Sequence, residues 1–437
     1  MIPRQRVSVE VRAGFTTFLT MAYILFVNPS ILGNAIVIPG VDVGPQLLSA
    51  TALAAGIGSI VMGLWARYPF ALAPGMGLNA YFAFSVVLGQ GIAWQAALGA
   101  VFLSGICFLV LSLVGVRELV VNAIPAPLQS AIACGIGAFL AFIGLQQGGI
   151  IVADPNTLVT LGNPATAGPA LTIGGVILVA VLQARGIRGG VLLGIAAISA
   201  LAIVTGAAVF QGQPFGGFTH GVVQAPVWPT DLFLALDIPG ALDIGFFGIV
   251  FVFLFVDFFD TAGTLIGLSQ RAPQLTDDQG RLERATQAFG SDAIATACGA
   301  LLGTSTTTSY IESAAGIEEG GRTGTTALVV GALFFLSLFL WPLAGAVPAV
   351  ATAPALIVVG ALMMRGASDI AWTQPEVAVP AFLTIVGMPF SFSIATGISL
   401  GLISWVVIHA GVGKARQVHW LLWLLSALLV ARFIWLA

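Results

Sequence analysis

Apolar residues run along this chain in stretches of about twenty, separated by short polar or glycine- and proline-rich breaks. A helix needs ~20 mostly apolar residues to cross a bilayer. Fourteen stretches meet that need: 15–34, 47–66, 71–88, 95–115, 125–145, 169–183, 188–210, 244–268, 285–303, 305–319, 324–345, 349–364, 376–389 and 392–411. A fifteenth, 418–436, follows Lys414 and Arg416 and is read as either spanning or interfacial, given Trp420, Trp423, Trp435 and Arg432. Two stretches open irregularly. Phe70 to Asn79 contains the helix breakers Pro74 and Gly75. Gly303 to Glu312 contains a β-branched, hydroxyl-rich run, Thr304 to Ser309, that favours extended chain. Extended backbone survives at membrane depth only where protein or a water-filled cavity satisfies it. The pattern therefore predicts two short half-strands, in spans 3 and 10, facing each other near the midplane. Each leads into a half-helix, with Asn79 and Glu312 near the two N-termini.

Basic residues test the count, because cytoplasmic loops collect Lys and Arg. With the N-terminus inside, Arg4, Arg6, Arg12, Arg67, Arg117, Arg185, Arg188, Arg271, Arg281, Arg284, Arg322, Arg365, Lys414 and Arg416 all fall on one side. That is 14 of 15, with only Arg432 left over. The long outside loops 146–168 and 211–243 carry only acids: Asp154, Asp231, Asp237 and Asp243. Fourteen spans divide as seven plus seven, and an odd-numbered repeat inserts in opposite orientations, as in secondary transporters. The irregular stretch comes at the third span of each half.

Composition closes off other classes. Of 437 residues, 58% are hydrophobic and 8% charged, with mean hydropathy +1.04. A soluble domain carries roughly 25% charged residues, so this is an all-α polytopic membrane protein, not a soluble enzyme or a nucleic-acid binder. The net charge of −3 says little about partners. Cys107, Cys134 and Cys298 form no CxxC pair and suggest neither disulfide nor metal site. The single lysine, Lys414, follows no Walker-type loop. No cofactor is implied. The arginine-bearing N-terminus precedes a long apolar segment without a small-residue cleavage site, which reads as an uncleaved first span.

Ionisable residues deep in a span cost roughly 2.5–3.5 kcal/mol on the insertion scale and are functional candidates. Asp257, Asp260 and Glu312 stand out. Asp257 and Asp260 are three apart and share a helix face with Thr261 and Thr264. No span interior offers a basic partner. Asp257 is expected to reach the half-helices, whereas Asp260 is either a transport residue or a structural hydrogen-bond hub. Asn79 reads as a helix cap or a ligand group. Asp292, Glu318 and Glu319, nearer the cytoplasmic ends, read as solvated or loop-paired acids. Phe258, Thr261, Thr308 and Tyr310 are secondary contact candidates, although packing is the better explanation of an aromatic. His220, His409 and His419 lie outside the site, and Gly397 with Gly401 reads as helix packing.

Ala73 to Phe82, Asp257 to Gly267, Gly303 to Ile317 continuing to Gly324, and Phe15 to Ser30 together resemble the AzgA-like purine permease branch of the xanthine/uracil permease (nucleobase–cation symporter) superfamily. The resemblance covers essentially the whole chain and implies fourteen spans in two inverted repeats of seven. Spans 1–4 (1–117) and 8–11 (244–346) would form a core domain. Spans 5–7 (118–243) and 12–14 (347–411) would form a gate domain, leaving 412–437 as a C-terminal apolar segment. It further implies a proton-coupled symporter importing hypoxanthine, guanine or adenine across the cell membrane, with a gate-domain homodimer as a further expectation. Asn79, Asp257 and Glu312 match its substrate-contacting positions, and Asp260 one linked to the transport step; Asp257 and Glu312 are also candidates for proton coupling.

The chemistry of the residues agrees. A purine is flat and rimmed with N–H donors and N or O acceptors. A carboxylate accepts from adjacent N–H groups, and an amide both donates and accepts. A proton on a buried acid relieves its desolvation and couples proton to substrate. The alternative is a carrier of xanthine, uracil or another small planar solute on the same fold. An anion transporter is disfavoured by the acids, a channel by the single polar level, and an intramembrane aspartyl protease by the lack of its motif.

Overall fold

The computed structural model describes residues 4–114, 124–243, 249–276 and 282–435. Arg117, Arg281 and the junctions near 117 and 244 lie outside the described residues. Nine described helices are long and apolar enough to cross a membrane, and Met76–Gly89, Gly190–Val204, Pro375–Ser391 and Trp420–Ala431 are shorter apolar helices.

The first span is α1 (Arg4–Met21) followed by α2 (Ile24–Leu32), broken at Ala22 and Tyr23. It begins well before residue 15, so Arg12 lies in the helix rather than in a loop. Its side chain is 64% exposed and its Nε reaches Glu319 Oε2 at 2.9 Å. A long basic side chain can thus sit at a helix end and carry its charge to the surface. Helix α3 (Gly44–Val61) widens into a π-turn over Met62–Ala66 and stops at Arg67, whose φ is 59°. Strand β1 (Leu72–Pro74) then leads into α4 (Met76–Ala80), which continues as a π-helix to Gly89. Helix α5 (Trp94–Val114) completes this first set.

A second set follows: α6 (Ala126–Gln147), the exposed hairpin β2 (Ile151–Asp154) and β3 (Leu158–Leu161), α7 (Ala167–Ala184) and α8 (Gly190–Val204). The segment to α9 (Ile238–Asp243) is mostly irregular and is tied over the ends of helices both before and after it in the chain. Gln46 donates to Asp231 (2.6 Å), and the backbone N–H groups of Leu234 and Asp237 donate to Leu301 and Gln95, each at 2.8 Å. The chain continues through α10 (Phe251–Arg271), α11 (Ala285–Leu302), β4 (Thr307–Ser309), α12 (Ser313–Glu318) and α13 (Gly324–Ser337). Helices α14 (Ala349–Met363), α15 (Pro375–Ser391), α16 (Ile394–Gly411) and α17 (Trp420–Trp435) end it.

Packing sorts these elements into two groups. Helix α11 lies against α3 and α5, and α13 against α1 and α3; α14 and α15 lie against α6, α7 against α14, and α16 against α15. Contacts between the groups run mainly through α2 with α14, α4 with α6, and α1 with α8. Helix α17 packs along α16, with the Ser426 hydroxyl donating to the Leu402 carbonyl at 3.3 Å, middle against middle.

Helix α11 is rich in Ala, Gly, Ser and Thr and falls short of the apolarity of a lipid-facing span. Neighbouring backbones approach it closely. A Cβ on Gly58 would come within 2.9 Å of the Ala295 Cβ, and one on Gly105 within 2.9 Å of the Ala297 nitrogen. Small side chains are what allow such approach in a membrane.

The two strands cross inside this group and pair antiparallel: Leu72 with Ser309, Ala73 with Thr308, Pro74 with Thr307. Further backbone bonds extend the ladder at both ends, Gly75 N–H to Thr306 O (3.0 Å) and Tyr310 N–H to Ala71 O (2.9 Å). The outward-facing polar groups of β1 find side chains instead. The Ser59 hydroxyl accepts from the Leu72 N–H (3.0 Å) and faces the Leu72 carbonyl (3.1 Å), and Ser313 Oγ accepts from Ala71 N–H (2.9 Å). All six strand residues are buried. The ladder satisfies backbone that lipid could not.

Candidate functional site

Two polar layers flank the strand pair. The inner layer is fully enclosed and centres on Asp292. Its Oδ1 accepts from the Ser309 backbone N–H (2.7 Å) and hydroxyl (2.8 Å), and its Oδ2 accepts from Thr261 Oγ1 (2.7 Å). Thr308 faces Thr261 hydroxyl to hydroxyl at 3.1 Å. Asp292 was expected to be a solvated or loop-paired acid. It is instead 0% exposed, because it is the eighth of eighteen residues in α11 and lies on the side packed against α3, α5 and the strand pair. Asp257 lies in the same layer, also 0% exposed. Its Oδ2 is 2.8 Å from Thr296 Oγ1, which in turn touches the backbone of Thr307, and its Oδ1 has no hydrogen-bond partner among the described residues.

The outer layer holds Asp260, Glu312 and the start of α4. Asp260 is partly exposed and accepts no hydrogen bond from a described residue. A Cβ on Gly75 would stand 3.8 Å from its Oδ2. It lies within electrostatic reach of Glu312, and Tyr310 lies within reach of both acids. Glu312 precedes α12 and takes a 2.6 Å hydrogen bond from the Tyr23 hydroxyl at the break in the first span. Tyr310 donates to the Pro74 carbonyl at 2.6 Å, tying the end of β4 to β1.

Asp260, rather than Asp257, is the acid that stands partly exposed beside Gly75, while Asp257 is enclosed. The described part of this helix is already helical at 249, and its start lies outside the described residues. Asn79 is not a cap, since Gly75 occupies that position. Its amide Nδ2 donates to Asn28 Oδ1 at 2.7 Å, while its Oδ1 is buried without a partner. Phe258 stacks among Phe108 (5.4 Å), Phe289 (5.6 Å) and Phe259 (5.4 Å), an aromatic packing cluster rather than a ligand face.

The structure thus places Asp260, Glu312 and Tyr310 at the strand ends, with Asp257, Thr261 and Thr308 behind them and Asn79 enclosed within α4 against Asn28. Sequence reasoning passed over Asn28, Tyr23 and Asp292. The Asn-Pro pair at 28–29 was the available signal for the first of these.

At the arginine-rich end, Glu319 is shared between Arg12 of α1 and Arg188 of the loop entering α8, and Arg271 pairs with Glu318 at 2.5 Å. Glu318 and Glu319 are paired acids. Glu10, 1% exposed, takes the Thr326 hydroxyl at 2.6 Å and the Arg322 and Thr323 backbone N–H groups.

A bundle of membrane-length helices enclosing a polar crossing point defines a multi-pass membrane transport protein, not an enzyme. Residues 9–400 match the permease family of the xanthine/uracil type, and the chain belongs to that family. Adenine permease AdeP of Escherichia coli is 45% identical over 408 residues, covering 93% of this chain and 88% of that one. Guanine/hypoxanthine permease PbuG of Bacillus subtilis is 46% identical over 435 residues, 98% of this chain and 96% of that one. Among solved structures, the transmembrane domain of the cyanobacterial bicarbonate transporter BicA superposes with a TM-score of 0.66 at 15% identity, covering 92% and 98% of the two chains. At that identity the likeness concerns the fold alone.

Proposed function

We propose that this chain is a proton-coupled symporter that imports purine nucleobases, hypoxanthine, guanine or adenine, by alternating access. The observation that carries the reading is two span acids at the strand crossing with no described basic side chain bonded to either: Asp260, beside Gly75 at the start of α4, and Glu312, just past the end of β4. Two carboxylates and an amide oxygen form an acceptor-rich rim that suits the N–H edge of a neutral base. The names of the E. coli and B. subtilis relatives support the same substrate class. Two facing acids in a closing crevice are costly when both are charged, so a proton enters with the base and leaves with it.

In this reading the group containing α1–α5 and α10–α13 is the core domain, and that containing α6–α8 and α14–α16 is the gate. The gate carries any homodimer contact. The fourteen spans form two inverted repeats, each crossing strand belonging to one repeat. The N-terminus faces the cytoplasm across the cell membrane, and α17, paired middle to middle with α16, spans as well. Asp260, Glu312 and Asn79 contact the base. Asp257 and Asp292 hold the strand pair from behind, with Asp257 a candidate for proton exchange.

Purified protein in liposomes decides the matter. Labelled hypoxanthine should accumulate above its outside concentration when a proton gradient is imposed, and only equilibrate without one. Accumulation of uracil or xanthine but no purine would favour the alternative planar solutes. No concentration under any ion gradient would overturn the symporter reading.

A further inference from the structure

The buried amide at Asn79 belongs to a chain of hydrogen bonds whose directions can be worked out one after another. The Thr51 hydroxyl donates to the Leu47 carbonyl one turn back at 2.6 Å, so it can only accept from elsewhere. Asn28 Nδ2 lies 2.7 Å from that hydroxyl and 2.9 Å from Thr304 Oγ1. Both amide protons of Asn28 are thereby used, and its Oδ1 must face Asn79. At 2.7 Å only the Asn79 Nδ2 can occupy the facing position, because a reversed amide would set two carbonyl oxygens against each other. The Asn79 Oδ1 is left buried and unpartnered. Asn28, Thr51, Asn79 and Thr304 are each 0% exposed, so no solvent competes for these bonds.

We infer that Asn28 is a positioning residue that locks the Asn79 amide with its carbonyl oxygen free, making Asn79 an acceptor-only reader of one N–H on the transported base. The inference rests on the reading of Asn79 as a substrate contact and adds the direction of its hydrogen bond. An amide free to rotate offers either a donor or an acceptor and discriminates poorly between bases that differ in donor order. A locked one rejects a base that presents a lone pair or a methyl group at that place, since its own oxygen would then stay unmet. The relay draws on α2, α3, α4 and the run before β4. It therefore fixes base selection through side chains that bond to neither Asp260 nor Glu312.

The test measures binding to purified protein, by calorimetry, of hypoxanthine and of purine analogues in which one ring N–H is replaced by a ring nitrogen bearing a lone pair. In the natural sequence, that exchange at one position should weaken binding about tenfold or more, the loss of one hydrogen bond with its acceptor stranded. Asn28→Leu should bring that penalty below about threefold, because the freed amide can turn its NH2 group. Asn28→Asp, which still accepts from Asn79 Nδ2, should preserve it. If the leucine variant does not fold, Asn28→Ser, too short to reach Asn79, is read the same way. A full penalty retained without an acceptor at position 28 overturns the inference. A penalty that persists in Asn79→Leu shows that Asn79 does not read the base, and absence of purine binding to the natural protein removes the proposed function; both are distinguishable from failure of the relay.

Discussion

Asp257 and Asp260 stand one helical turn apart and meet different surroundings, so their replacements should separate. Asp260→Asn removes a carboxylate that faces Glu312 and has no described hydrogen-bond donor of its own. It should abolish both hypoxanthine binding and uptake. Asp257→Asn keeps the shape of an enclosed side chain held by Thr296 (2.8 Å). It should leave binding within a few-fold and cut uptake severely, in paired assays of equilibrium binding and vesicle uptake at equal expression. Equal loss of binding in both would merge the two acids into one site. Glu312→Gln exchanges one acceptor for a donor against the Tyr23 hydroxyl, and at least tenfold weaker binding, ~1.4 kcal/mol, is expected by calorimetry. Glu312, Asp257 and Asp260 were legible as acids in apolar stretches. Asp292 was misjudged because depth was counted from a loop, whereas its surroundings are set by three helices and a strand. Tyr23 and Asn28 were hidden because a hydroxyl or amide in a first span gives no signal until its partner, nearly three hundred residues on in the case of Glu312, is in place.

At the scale of elements, both irregular stretches announced themselves through Pro74, Gly75 and the threonine run, and each contains a strand of three residues. Register was beyond the sequence, because so short a strand has no alternating face to fix it. The break at Ala22 and Tyr23 was also missed. Its signal is Pro29, whose ring crowds the carbonyl of Leu25 one turn earlier and lacks the N–H that would pair with it. The ladder makes its own prediction through Ser59. Ser59→Ala strands the buried N–H and C=O of Leu72, a cost of about 1–3 kcal/mol. The melting temperature in detergent should fall, with purine affinity in the folded fraction little changed. An unaltered melting temperature would show that the strand does not depend on this anchor.

For the whole molecule, the apolar stretches gave the helix boundaries to within a few residues for most described helices, and four motifs gave the family. How the two groups of helices pack was not legible, since small residues mark a contact without naming its partner. Sidedness remains checkable. A cysteine in the 211–243 segment should label from outside intact cells and one in 269–284 should not; the reverse result would invert the orientation. The Arg12–Glu319–Arg188 cluster joins the two groups at the arginine-rich end. If that end opens by separation of the groups, Arg188→Gln should raise the labelling rate of a cysteine at position 264 from the cytoplasmic side several-fold. No change would mean the contact does not restrain the opening. Helix α11 carries a consequence of another kind. Its eighteen residues are less apolar than the membrane-length helices around it, and α3 and α5, which pack against it, emerge earlier from the ribosome. Membrane integration of this segment is then a step of assembly rather than of insertion. A translocon handed residues 285–302 in isolation should pass them through, and the same residues following 1–271 should be retained, which makes the biogenesis of this permease depend on the order in which its helices are synthesised.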